Sequence, residues 1–191
     1  VWYPKTPPDK TSDLWNVPIS SYVRGRDVYP LEKTLPSAET AACEQATKVK
    51  RGVIGLFFGR QVATGGSGFG ITISYADIIK VVQAWATGLA RCARGPWELA
   101  IGTSNSGGAT HFNGYFGGVA WAQLVVAARA ASDTRIIISG ANDLEPGWGP
   151  SGTARAWVNG FVATTTERLW NFGSADGCPQ KVGGLSCNNG W

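Results

Sequence analysis

The 191-residue chain has no methionine, a single histidine and no Cys-x-x-Cys pair. Without clustered histidines or paired cysteines, neither a zinc site nor any other metal or cofactor is expected. No apolar run approaches the roughly 18–20 residues that cross a bilayer, so no membrane span is expected. Charged residues make up only 16%, and the net charge of +4 comes from basic residues scattered between Lys5 and Lys181. With no dense Lys/Arg tract, the electrostatic footprint of a nucleic-acid binder is missing. There is no G-x-S-x-G elbow, so a Ser-His-Asp triad is not signalled and His111 reads as a loop residue. The Gly-rich stretches "ATGGSGFG" and "SNSGGATHFNG" fit neither phosphate-cradling fingerprint, which argues against a nucleotide site. Position 1 is not methionine, so the expectation is that a leading segment was removed or that the chain begins inside a longer product.

What is present is a globular composition. Hydrophobic residues reach 43%, enough for one domain with a core. Glycine is high at 26 and tryptophan at nine. Most indoles serve packing, but a flat indole also stacks on sugar rings. Four cysteines, Cys43, Cys92, Cys178 and Cys187, permit three pairings. Cys178–Cys187 would close a short Gly-rich loop, leaving Cys43–Cys92 to staple two helices. This favours an oxidising, extracellular location over four free thiols in a cytosolic protein.

The organisation follows from punctuation and periodicity. Residues 1–36 are Pro-rich and read as an irregular segment that wraps the domain. The rest, 37–191, reads as a βα-repeat domain. A helix is predicted over 37–49, capped by Ser37. Apolar runs begin near 53, 97, 135 and 168, giving steps of 44, 38 and 33 residues. Between them lie helical patterns at about 74–93, 119–131 and 151–163, the first with a Ser74/Asp77 capping box. Such units predict an α/β fold with parallel strands. Four units fit an open parallel sheet, or half of a TIM-type barrel, whose full form takes about 250 residues. A half-barrel would complete its core by self-association or belong to a longer chain.

Ligand sites of parallel α/β folds gather at the carboxyl ends of the strands. Those ends carry polar groups here, among them Arg60, Gln61, Ser104, Asn105, Asp143, Glu145, Asn171 and Asp176. In "RIIISGANDLEPGW", alternation puts Ile137, Ser139, Ala141, Asp143 and Glu145 on one face, which loses bulk and gains charge towards its end. Paired carboxylates serve glycoside hydrolysis, one as a general acid with a raised pKa, the other as nucleophile or base. Trp148 would supply an apolar wall beside Glu145, making Glu145 the expected acid, with Asp143 or Asp176 as its partner. Trp148, Asn105, Arg60 and Asn171 are the expected substrate contacts. A bare D-x-E also occurs as a capping or ion-paired structural element, and calcium ranks low because the spacing is not an EF-hand loop.

The motifs "GANDLEPGWG", "ARAWVNGF", "NFGSADGCP" and "IGTSNS", with "AWAQLV" further on, resemble those of uncharacterised secreted bacterial proteins that are similar in fold to glycoside-hydrolase-type barrels. The resemblance spans about 52–191. It implies a secreted protein that acts on or binds a polysaccharide or glycan. The alternative expectation is a non-catalytic extracellular protein, either a glycan-binding module or a self-assembling subunit.

Overall fold

The computed structural model describes residues 28–68, 70–106, 114–145 and 152–173. In chain order these form α1 (Leu31–Lys48), β1 (Gly52–Val62), β2 (Gly65–Gly68), β3 (Ile71–Ser74), α2 (Tyr75–Cys92), β4 (Trp97–Ser104), α3 (Tyr115–Ala131), β5 (Ile136–Asp143), α4 (Thr153–Thr164) and β6 (Leu169–Asn171). The six strands make one sheet in the order β3-β2-β1-β4-β5-β6. The four strands anticipated from the apolar runs, β1, β4, β5 and β6, are mutually parallel neighbours. The fold is therefore α/β with an open, mostly parallel sheet.

Two elements depart from the sequence expectation. The Gly-rich stretch after β1, which carries no strand pattern in the sequence, is an antiparallel hairpin, β2–β3, which extends the sheet beyond β1. Its glycines answer to contact rather than to looseness: a Cβ on Gly66 would strike the carbonyl of Phe58. The first helix begins at Leu31, so the segment expected to be irregular up to residue 36 already contains a turn and a half of helix. Pro36 sits inside it, on the solvent side. The proline's lost hydrogen bond is outweighed by close packing on α2. Ala38, Ala42 and Ala46 are buried, and Gly88 lets the two helices approach until a Cβ there would meet the backbone carbonyl of Glu39. Ser37, expected as the cap, instead donates its hydroxyl to the carbonyl of Lys33. Cys43 and Cys92 form a disulfide with Cα atoms 5.1 Å apart, stapling α1 to α2 as the pairing argument anticipated. Cys178 and Cys187 lie outside the described residues.

The second helix starts where the capping box placed it. Ser74 Oγ accepts from the Asp77 backbone N–H at 3.1 Å. Ile78, Val81, Val82, Trp85 and Leu89 are all buried. Together with Ile54, Leu56 and Phe58 of β1, Leu99 and Ile101 of β4, and Ile136 and Ile138 of β5, they form the main core between the sheet and the helices. All four helices contribute to this one cluster, so they cover a single face of the sheet. Among the described residues, no helix is long and apolar enough to cross a membrane.

The other face of the sheet has a different character. Its residues are small along the middle strands: Ala100 and Gly102 on β4, Ser139 and Ala141 on β5. Phe57 from β1 lies over this shallow floor, and a Cβ on Gly102 would overlap its ring. Phe57 also meets Phe172, just past β6, with ring centroids 4.2 Å apart. Nearer the amino ends of the strands, Glu98 on β4 reaches across β5. It accepts from Arg168 Nη1 at 2.6 Å and from Trp170 Nε1 at 2.7 Å. Glu98 is only 4% exposed, a burial that a carboxylate tolerates when it is hydrogen-bonded and ion-paired.

Candidate functional site at the carboxyl ends of the strands

The polar residues expected at the strand ends fall into two groups according to the face they occupy. The helix-side group is structural. Gln61, 2% exposed, donates from Nε2 to the carbonyl of Gly117 at 2.8 Å, while its Oε1 accepts from Trp157 Nε1 at 2.8 Å. One side chain on β1 thus fastens the start of α3 to α4. Asn142 points to the same side and is 1% exposed, with neither amide atom hydrogen-bonded among the described residues.

The open-face group forms a row. Across the sheet, Arg60 of β1 pairs in register with Ser104 of β4, and Ser104 pairs with Asp143 of β5. Partners in register on adjacent parallel strands share a face, so these three side chains stand side by side above the Phe57–Phe172 pair. The alternation expected along β5 is observed: Ile136 and Ile138 belong to the helix-side core, whereas Ala141 packs with Phe57 on the open side. Leu144 returns to the helix-side core at 2% exposure, which keeps Glu145 on the same side as Asp143.

Two asparagines hold this segment in place. Asn105 Nδ2 donates to the carbonyl of Glu145 at 3.0 Å, and its Oδ1 accepts from the Glu145 N–H at 3.0 Å. The side chain thereby replaces the next rung of the β4–β5 ladder, which would otherwise end at Asp143. From the other flank, Asn171 Oδ1 accepts from the backbone N–H groups of Leu144 and Gly173, at 3.3 and 3.0 Å. Asn105 and Asn171 were expected as substrate contacts. The structure shows both engaged with the backbone of the acidic segment, so they fix where the acids sit.

The two carboxyl groups differ in their surroundings. Asp143 is half-buried, and its side chain makes no hydrogen bond or ion pair among the described residues. Burial above all, and then the charge of Glu145, push its carboxyl up to about 6 from an ordinary 3.8. Asp143 therefore keeps its proton to a higher pH than an ordinary aspartate, up to about 6. Trp148 and Asp176, expected as the apolar wall and as the alternative acid, lie outside the described residues, as does His111. Among the described residues, no group of three or more His, Cys, Asp or Glu is arranged to hold a metal ion.

Phe57 is buried, as the apolar run beginning near 53 implies, but its pairing with Phe172 is not evident from the sequence. The available signal was size: Ala100, Gly102, Ser139 and Ala141 are too small to cover their own face, so a large side chain had to come from elsewhere. Compared with known proteins, the chain matches no protein-family model and no curated protein sequence.

Proposed function

We propose that the chain is a secreted carbohydrate-active protein of the glycoside-hydrolase type, with Asp143 and Glu145 as its acid pair. The observation that carries this reading is the state of Asp143. It is a half-buried carboxyl without a cationic partner among the described residues, lifted to about 6, beside a second carboxyl at the carboxyl end of a parallel sheet. The sequence alone favoured Glu145 as the acid. Burial favours Asp143 in that role, with Glu145 as the partner carboxylate. In the proposed step the Asp143 proton passes to the glycosidic oxygen as the bond from the anomeric carbon to that oxygen breaks. Water adds its hydroxyl at the anomeric carbon, and its proton restores the acid pair.

Three further features support the reading. Phe172, 40% exposed and backed by the buried Phe57, offers an apolar surface of the kind sugar rings rest on. The Cys43–Cys92 disulfide fits an oxidising compartment. The parallel strands advance one position per crossover, β1-β4-β5-β6, an order that this open sheet shares with glycoside-hydrolase-type barrels, although the antiparallel β2 on the outer edge of β1 has no counterpart in such a barrel. The test is hydrolysis of a broad polysaccharide panel by the wild type, Asp143→Asn and Glu145→Gln between pH 4 and 8. The expected result is a wild-type activity that falls as pH rises through 6 and is lost in Asp143→Asn. Equal activity in wild type and Asp143→Asn, or no activity on any substrate, refutes the catalytic reading.

A second reading, a non-catalytic self-associating subunit, draws on one specific observation. Ile137, Trp170 and Phe172 on the open face are 41%, 38% and 40% exposed among the described residues. Sedimentation equilibrium separates the two, because a stable monomer argues against an assembly role.

A further inference from the structure

The course of β1 gives Arg60 a purpose that alternation would have denied it. Phe58 belongs to the helix-side core. With strict period two, Arg60 would follow it under the helices and Gln61 would face the open side. The structure has the reverse arrangement. Phe57 pairs with Gly102 and the next paired residue is Arg60 with Ser104, so three steps on β1 match two on β4. The extra residue is a β-bulge, and it centres on Gly59, whose φ of 77° is in the left-handed region. A Cβ there would also strike the Ser67 carbonyl. Thr103 Oγ1 donates to the Gly59 carbonyl at 2.9 Å and holds the bulge. Gln61 is locked into the helix layer by Trp157 and Gly117. The bulge therefore turns Arg60 out of the helix interface and into the row with Ser104 and Asp143.

Once there, the guanidinium is not consumed by any described residue. Arg60 is exposed and makes no ion pair or hydrogen bond through its side chain among the described residues. It does not serve Asp143 either. A nearby cation would hold that carboxyl down, whereas burial and Glu145 raise it. Two strand spacings, about 10 Å, separate Arg60 from Asp143, with the small Ser104 in register between them. That gap is on the scale of two linked sugar residues.

We propose, resting on the carbohydrate reading above, that Arg60 is the group that recognises a carboxylate on the substrate, and that the substrate class is an acidic, uronate-bearing glycan. The planar fork of a guanidinium matches a carboxylate in two parallel hydrogen bonds, and a neutral sugar offers it no such partner. The net charge of +4 favours approach of a polyanion.

The test is affinity gel electrophoresis with polysaccharides matched except for the carboxyl: polygalacturonate against galactan, and polyglucuronate against glucan. Wild type, Arg60→Gln and Arg60→Lys are run in each. The wild type is expected to be retarded by a uronate polymer. Arg60→Gln should lose about tenfold or more of that affinity, with its mobility in neutral gels unchanged, and Arg60→Lys should recover part of it. Uronate binding within about twofold of wild type in Arg60→Gln overturns the assignment. So does wild-type binding to neutral polymers alone, which leaves the carbohydrate reading standing. Absence of retardation in every gel removes both. Because Arg60 is exposed, these variants keep the fold, and an unchanged circular dichroism spectrum verifies it.

Discussion

Asp143→Asn should make the protein more stable at neutral pH, and only there. In the folded state the Asp143 carboxyl is raised from 3.8 to about 6, chiefly because burial disfavours its charged form. The folded chain therefore holds this proton more tightly than the unfolded chain does. The resulting stabilisation is fully present below pH 4, fades as the pH rises through 6, and is gone above it. At about 1.4 kcal/mol per pH unit, the shift corresponds to about 3 kcal/mol. Because the side chain is only half-buried, solvent screening reduces this to about 1–2 kcal/mol. Asparagine has the same shape and never ionises. The variant should match wild type at pH 4 and exceed it by about 1–2 kcal/mol at pH 7.5, or about 3–6 °C in Tm for a chain of this size. Urea unfolding of both proteins at half-unit steps from pH 4 to 8 is the assay. Other carboxylates titrate in both proteins, so the difference isolates position 143. A difference that does not change with pH, or an Asp143→Asn variant less stable at pH 7.5, refutes the claim that burial strains this carboxyl. If the stabilised variant is also inactive, the site carries a cost in stability that its chemistry requires.

Three other perturbations probe the frame around the site. Replacing Cys43 and Cys92 by alanine opens a loop whose ends are 49 residues apart, and should cost about 2–4 kcal/mol in denaturant unfolding, whereas an unchanged midpoint means that α1 is held by packing alone. Gln61→Leu strips Trp157 Nε1 of its acceptor and Gly117 of its donor, both buried, and should cost about 2–4 kcal/mol; a neutral result means that water takes Gln61's place. Gly102→Ala drives a methyl group into the Phe57 ring and should destabilise by about 1–3 kcal/mol while changing the near-ultraviolet circular dichroism, and unchanged spectrum and stability would show that the Phe57 ring moves freely.

How far the sequence discloses this fold depends on whether side chains or backbone made each decision. The parallel direction of β1, β4, β5 and β6 was legible because a helical pattern separates each apolar run from the next. The face assignment along β5 was legible for the same reason, since Ile136 and Ile138 differ in size from Ser139 and Ala141. The β2–β3 hairpin was not, because a strand of Gly65, Gly66, Ser67 and Gly68 has no side-chain alternation to read. The start of α1 was missed because Pro36 signals a break, and only the contacts with α2 outweigh it. At the site, Asp143 and Glu145 stood out by charge and position. The bulge at Gly59 was hidden, since one residue of slip leaves no mark on composition, yet it decides whether Arg60 or Gln61 meets a ligand. The roles of Asn105 and Asn171 were equally hidden, because an amide that binds sugar and an amide that braces a neighbouring strand are spelled alike.

The Cys43–Cys92 bond has a topological corollary. It shuts residues 43–92 into a covalent ring that contains the hairpin, the bulge and Arg60. A protease that nicks the hairpin tip therefore leaves both fragments attached, and the cut becomes visible on a gel only after reduction. The same ring makes that tip a natural place to open new termini in a rearranged chain, because the two severed halves of the first unit stay tethered while they find each other.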